Sequence, residues 1–122
     1  MDRRALLIGI DEYDAVRGLK GCVADAEAMA ALLQENEDGS PNYGCRLLTS
    51  PGPKTITRAL VRTEMSRLFD NFTGDVLFYF SGHGTPTELG GYLMTQDGTR
   101  DDPGIAMNDL LMHANLSRAR EV

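Results

Sequence analysis

Apolar runs alternate along this chain with segments of helical periodicity, and glycine, proline and small polar residues separate them. Ala5 to Ile10 is a continuous apolar run ending in Gly9-Ile10-Asp11. A run without polar alternation predicts a strand buried on both faces. Gly18 and Gly21 punctuate the following loop. Cys22 to Gln34 then sets Val23, Ala26, Met29, Ala30 and Leu33 at helical spacing. Glu35 to Tyr43 is polar and holds Gly39, Ser40, Pro41 and Asn42, which predicts a loop. Arg46 to Thr49 is a short second strand, closed by Pro51, Gly52 and Pro53. Thr55 is the expected N-cap of a helix reaching about Asn71, with Val61, Met65, Leu68 and Phe72 as its apolar stripe. After Gly74-Asp75, Val76 to Phe80 is apolar and aromatic throughout, the clearest strand of the chain. Tyr92 to Thr95 predicts another short strand, with a turn at Asp97-Gly98. Asn108 is the expected cap of a last helix presenting Met107, Leu110, Leu111 and Ala114 on one side. Ser117 to Val122 has the character of a further strand beginning.

Strands that alternate with helices predict an α/β domain with a mostly parallel sheet. The 122 residues fit one domain with a modest core. The formal net charge of -6 and the pI near 4.8 leave no basic stripe to neutralise phosphates. Nucleic-acid binding and docking on an anionic membrane are both disfavoured. The six residues from Ala5 to Ile10 are too few for a signal-peptide core or a membrane span. Cys22 and Cys45 make no disulfide framework, and His83 and His113 lie far apart, so no structural zinc site is expected. A cytosolic chain with reduced thiols fits these features.

The informative feature is the strand that runs straight into Ser81-Gly82-His83-Gly84. In open α/β sheets ligands bind beyond the carboxyl ends of the strands. A histidine there is delivered to a site by a rigid element. Gly82 and Gly84 remove side chains beside it, which allows close approach of a substrate backbone. The Gly84 amide could face a developing oxyanion. Alone, Gly-His-Gly would favour a simple turn, with His83 merely capping the strand.

The wider arrangement resembles the caspase and metacaspase family of peptidases, and is closer to metacaspases and their prokaryotic relatives. The matching stretches are Arg4 to Ile10, Gly18 to Ala26, Phe78 to Gly84 and Gly91 to Asp97, in that order. The resemblance implies a three-layer α/β/α caspase-like domain, of which residues 1–122 are the N-terminal part, incomplete at the C-terminal side. It implies that His83 is the histidine of a Cys-His dyad, and that the Gly84 amide forms part of the oxyanion hole. The dyad's cysteine is expected about 50 residues beyond the histidine, and no cysteine follows His83 here. A cysteine-bearing remainder is therefore an expected partner. By the same resemblance Cys22, Asp25 and Ser81 line the pocket for the residue before the cut. A buried Asp25 would select Arg or Lys there, not Asp. Asp25 also suits the first turn of a helix, where the macrodipole favours an acid. Cys45 is expected to be a small buried apolar residue.

No cofactor is expected to be required. A calcium site is a weaker implication: Asp97 matches one family ligand, and Asn108-Asp109 stand where the family has an Asp-Asp pair. The alternative to an enzyme portion is a non-catalytic caspase-like module that binds and regulates a partner. An unpaired strand at Val76 to Phe80 would favour a homodimer or a strand-swapped assembly.

Overall fold

The computed structural model describes residues 3–88 and 90–122. Three parallel strands form the main sheet: β1 (Arg3–Ile10), β2 (Gly44–Ser50) and β3 (Asp75–Ser81), in the order β2-β1-β3. The apolar run is thus the central strand, as its unbroken hydrophobicity predicts. Leu6, Leu7, Ile8 and Ile10 are almost wholly buried. Because side chains alternate along a strand, β1 feeds two cores. Leu6, Ile8 and Ile10 join Val61, Met65, Leu68 and Phe69 of helix α2 (Arg58–Phe69). Ala5 and Leu7 pack on the other face with Ala30 of helix α1 (Cys22–Gln34), flanked by Met29 and Leu33. The three layers expected from the sequence are present.

Gly9 continues the α1 face of β1, and here a side chain has no room. A Cβ would lie 2.5 Å from the Cys22 carbonyl oxygen and 2.8 Å from the Ala26 Cβ. The first turn of α1 therefore rests directly on the strand backbone.

Beyond the carboxyl end of β3 the chain forms a small antiparallel sheet of β4 (Gly84–Thr87), β5 (Gly90–Met94) and β6 (Gly104–Ala106), in that order. The sequence predicts only the middle strand. Helix α3 (Met107–Leu116) follows β6 without a break and lies at the periphery, with Leu111, Met112 and Leu116 exposed. Two expected caps are corrected. The N-cap of α2 is Thr57, whose hydroxyl accepts from the Leu60 amide at 3.1 Å. The same helix stops at Phe69, short of Asn71, where the backbone turns to positive φ. The N-cap position of α3 is Ala106, so Asn108 lies inside the first turn.

The last residues return to the main sheet. Glu121 pairs with Asp75 as an isolated parallel bridge, and the Val76 amide donates to the Glu121 carbonyl at 2.8 Å. This bridge lies on the side of β3 away from β1, where a further parallel strand would pair.

Candidate active site

Two loops and a helix start meet at the carboxyl rim of the parallel sheet: residues 11–21 after β1, the turn at 82–83 after β3, and the first turn of α1. Asp11 shows how the first is fixed. Its amide donates to the Ser50 carbonyl at 2.7 Å. Its carboxylate accepts from the Cys22 amide at 2.9 Å and from the Val23 amide at 3.4 Å. Gly21, the N-cap residue of α1, has no side chain to offer and stands at φ 93°. Asp11 therefore satisfies the helix terminus from outside.

That capping sets Cys22 and Asp25 beside the end of β3. The Ser81 hydroxyl donates to Asp25 Oδ2 at 3.4 Å, and both Ser81 and Asp25 act on the Cys22 thiol. The three expected pocket residues are thus brought together. Cys22 is buried, and burial pushes its thiol up from the ordinary value; Ser81 works against this while Asp11 and Asp25 add to it. Asp25 is exposed, not buried as the sequence reading had it. Cys22 and Ala26 take the inner face of α1, which turns Asp25 outward toward the rim.

His83 lies on the same rim. Its Nε2 is 2.8 Å from the carbonyl oxygen of Arg17. A carbonyl only accepts, so Nε2 carries the proton and Nδ1 of the neutral ring is the acceptor. The imidazole also lies against the Tyr13 ring, with centroids 4.8 Å apart and planes inclined by 55°. Burial pushes the Tyr13 phenol up to about 12; its bond with the His83 amide opposes this, and Cys22 and Asp11 add to it.

Gly82 and Gly84 differ in role. A Cβ on Gly82 would lie 2.5 Å from the Tyr13 hydroxyl oxygen, so this glycine makes room for a tyrosine and not for a substrate. Around Gly84 the nearest atom to such a Cβ is the Tyr92 carbonyl oxygen at 3.6 Å, and the residue is exposed. Gly84 pairs with Leu93, one step beyond the His83–Met94 pair joined by the bond from the Met94 amide to the His83 carbonyl. The alternation of an antiparallel ladder turns the Gly84 amide away from β5, toward the open side of β4.

Asp97 lies just beyond β5, and Asn108 and Asp109 lie in the first turn of α3. Asp97 Oδ1 accepts from the Thr95 hydroxyl at 2.6 Å and from the Arg58 amide at 3.0 Å, so it braces the start of α2. Asp109 faces Arg62 at 3.6 Å. Among the described residues no three His, Cys, Asp or Glu side chains are grouped to hold a metal ion. Cys45 lies on β2, half-buried among the residues beside α1, and burial raises its thiol.

The sequence reading of the site overlooked Asp11, Tyr13 and Arg17 as its structural partners. Their one signal was position, immediately after the central strand.

The fold is that of a known class. Residues 2–116 match the caspase domain of the peptidase C14 family, and the chain belongs to that family. Metacaspase-1A of Aspergillus oryzae is 37% identical over 105 residues, covering 82% of this chain and 23% of that protein. Metacaspase-7 of Arabidopsis thaliana is 35% identical over 119 residues, covering 90% of this chain and 28% of the relative. Metacaspase-1 of Plasmodium falciparum is 36% identical over 89 residues, 68% of this chain and 14% of the relative. The chain therefore spans between 14% and 28% of the length of these relatives.

Proposed function

We propose that this chain supplies the histidine-bearing part of a caspase-type cysteine endopeptidase that cuts after Arg or Lys. The observation that carries the reading is the setting of His83. A strand end delivers it to the sheet rim, and the Arg17 carbonyl fixes its tautomer at 2.8 Å. Nδ1 is then the general base that takes the proton of an attacking thiol and returns it to the leaving amine. The outward Gly84 amide is the matching donor for the oxyanion.

Neither cysteine of the chain suits the nucleophile. Burial raises both thiols, whereas a reactive thiol is a readily formed thiolate. The nucleophile belongs to a further strand beside β3. The parallel bridge at Asp75 and Glu121 sets the direction of that strand. A groove of about 350 Å³, bordered by Val76, Leu77, Phe78, Leu110, Leu111 and Val122, lies along its path. A parallel strand there ends on the rim that carries His83. Asp25, exposed and bound by one long hydrogen bond from Ser81, is placed to meet a guanidinium or ammonium group.

The test joins the chain to a cysteine-bearing segment and supplies peptide reporters with Arg, Lys or Asp before the scissile bond. Cleavage after Arg and Lys, lost in His83→Ala and reduced in Asp25→Ala, is the expected result. Cleavage after Asp alone, or activity unaffected by His83→Ala, overturns the reading.

A further inference from the structure

The bond pattern around His83 is irregular in one respect. In a closely spaced antiparallel pair each residue donates its amide to the other's carbonyl. Met94 donates to the His83 carbonyl at 2.9 Å. The reverse bond is replaced: the His83 amide donates to the Tyr13 hydroxyl at 2.7 Å, and that hydroxyl donates to the Met94 carbonyl at 3.4 Å. A side chain from the loop after β1 is inserted into the first rung beyond β3.

From this geometry we propose that Tyr13 is a positioning residue for His83, holding the imidazole on the Arg17 carbonyl by keeping this rung open. The proposal rests on the reading of His83 as the general base. Tyr13 and Arg17 belong to one loop, so His83 is held at its backbone by the first and at its ring by the second. That loop is itself anchored: the Glu12 amide donates to Ser50 at 3.2 Å, the Asp14 amide to Gln96 at 3.0 Å, and the Leu19 amide to Asp11 at 2.8 Å. The aromatic contact adds a second hold on the ring. Gly82 supplies the space, since a Cβ there would strike the hydroxyl. The phenol stays protonated through the neutral range, so it can donate and accept at once. Without the hydroxyl, the His83 amide and the Met94 carbonyl would be left without partners. Closing the rung directly would satisfy both, and would draw His83 toward β5 and off the Arg17 carbonyl.

The test needs no peptidase activity. Long-range proton–nitrogen spectra of the 122-residue chain read the tautomer of each histidine ring. In the wild type the Nε2-protonated form of His83 dominates. In Tyr13→Phe its ratio to the other tautomer is expected to fall about fivefold, the weight of one neutral hydrogen bond, with His113 unchanged. Gly82→Ala, which displaces the hydroxyl while leaving the tyrosine, should shift His83 in the same direction, and it serves if Tyr13→Phe does not fold. An unaltered His83 tautomer in the folded variants overturns the proposal and leaves the peptidase reading standing. A shifted tautomer together with a completed chain that never cleaves removes the peptidase reading and keeps the positioning role.

Discussion

Arg120 grips Asp75 with two hydrogen bonds, Nε to Oδ1 at 2.9 Å and Nη2 to Oδ2 at 3.0 Å. Arg3 reaches the same carboxylate at 3.3 Å. The last residues of the chain are thereby held at the mouth of β3, in the register of the Asp75–Glu121 bridge. Hydrogen bonding from Arg120 keeps the Asp75 carboxyl below its ordinary range; burial opposes this and Arg3 assists.

A pH dependence follows from that clamp. The folded carboxyl holds its proton less tightly than the unfolded one. Its stabilising contribution is complete above the unfolded value, about 4, and is lost as pH falls through the lower folded value. Arg120→Ala is expected to unfold more easily than the wild type at pH 7. The gap should narrow in urea titrations as pH drops below about 4. A gap that stays constant to acid pH would show that Arg120 acts through packing alone.

The buried Glu64 offers a second case on another element. Burial works to raise its carboxyl, yet the hydrogen bond and charge of Arg46, joined by Arg67, bring it below the ordinary value. Glu64→Gln keeps the shape and loses the charge-assisted bonds. A loss of about 1.5–3 kcal/mol is expected in denaturant unfolding at neutral pH, and no loss would mean the two arginines contribute nothing there.

At alkaline pH the sign reverses. Tyr13, pushed up to about 12, keeps its proton in the folded state after the unfolded phenol, near 10, has lost its own. Stability is complete below about 10 and declines as pH rises toward the folded value. Ultraviolet titration should show a late phenol component, and Tyr13→Phe should remove it. Its persistence in the variant would assign it to another tyrosine.

Much of this was legible in the sequence, for definable reasons. Ala5 to Ile10 has no polar position, and only a strand covered on both faces accepts that. The helix at Cys22 to Gln34 is bounded by a glycine and by the polar loop after it, and the structure has the same limits. The flanking strands failed to show because Gly84–Thr87 contains a proline and Gly104–Ala106 is only three residues long. Neither has the alternation that marks a strand; pairing with β5 makes them strands. Thr55 and Thr57 both precede the α2 stripe, and only the observed bond to Leu60 separates them. The exposure of Asp25 is not legible in the sequence, because helical spacing gives the apolar face but not how close to the rim the helix begins. Tyr13 and Arg17 lie some 70 positions from His83 in sequence, and no local pattern records such a contact.

Gly9 is a severe packing constraint. Gly9→Ala sets a methyl group against the backbone of α1, where relief requires the helix to lift. A cost of about 1–3 kcal/mol is expected by chemical denaturation. The variant should also weaken the Cys22–Ser81–Asp25 grouping, since α1 carries two of its members. A neutral effect would show that the helix yields freely.

Among the described residues β3 ends the main sheet on one side, with Leu77 and Phe78 bordering the groove there. Exposed strand edges invite pairing. Light scattering of the chain should show concentration-dependent dimers, and a cysteine-bearing segment that occupies the groove should suppress them. Monodisperse monomer at high concentration would sink this expectation.

The two-sided duty of β1 has a last consequence. Its even positions serve one core and its odd positions the other, so the strand carries a phase as strict as a reading frame. Removing a single residue between Arg4 and Ile8 would swap the two sets. Bulky isoleucines would then meet α1, where only a hydrogen atom fits at Gly9, while the core of α2 would receive the small side chains. Natural variation in length should therefore collect in the segments between elements, and insertions or deletions inside this strand should be absent from folded relatives.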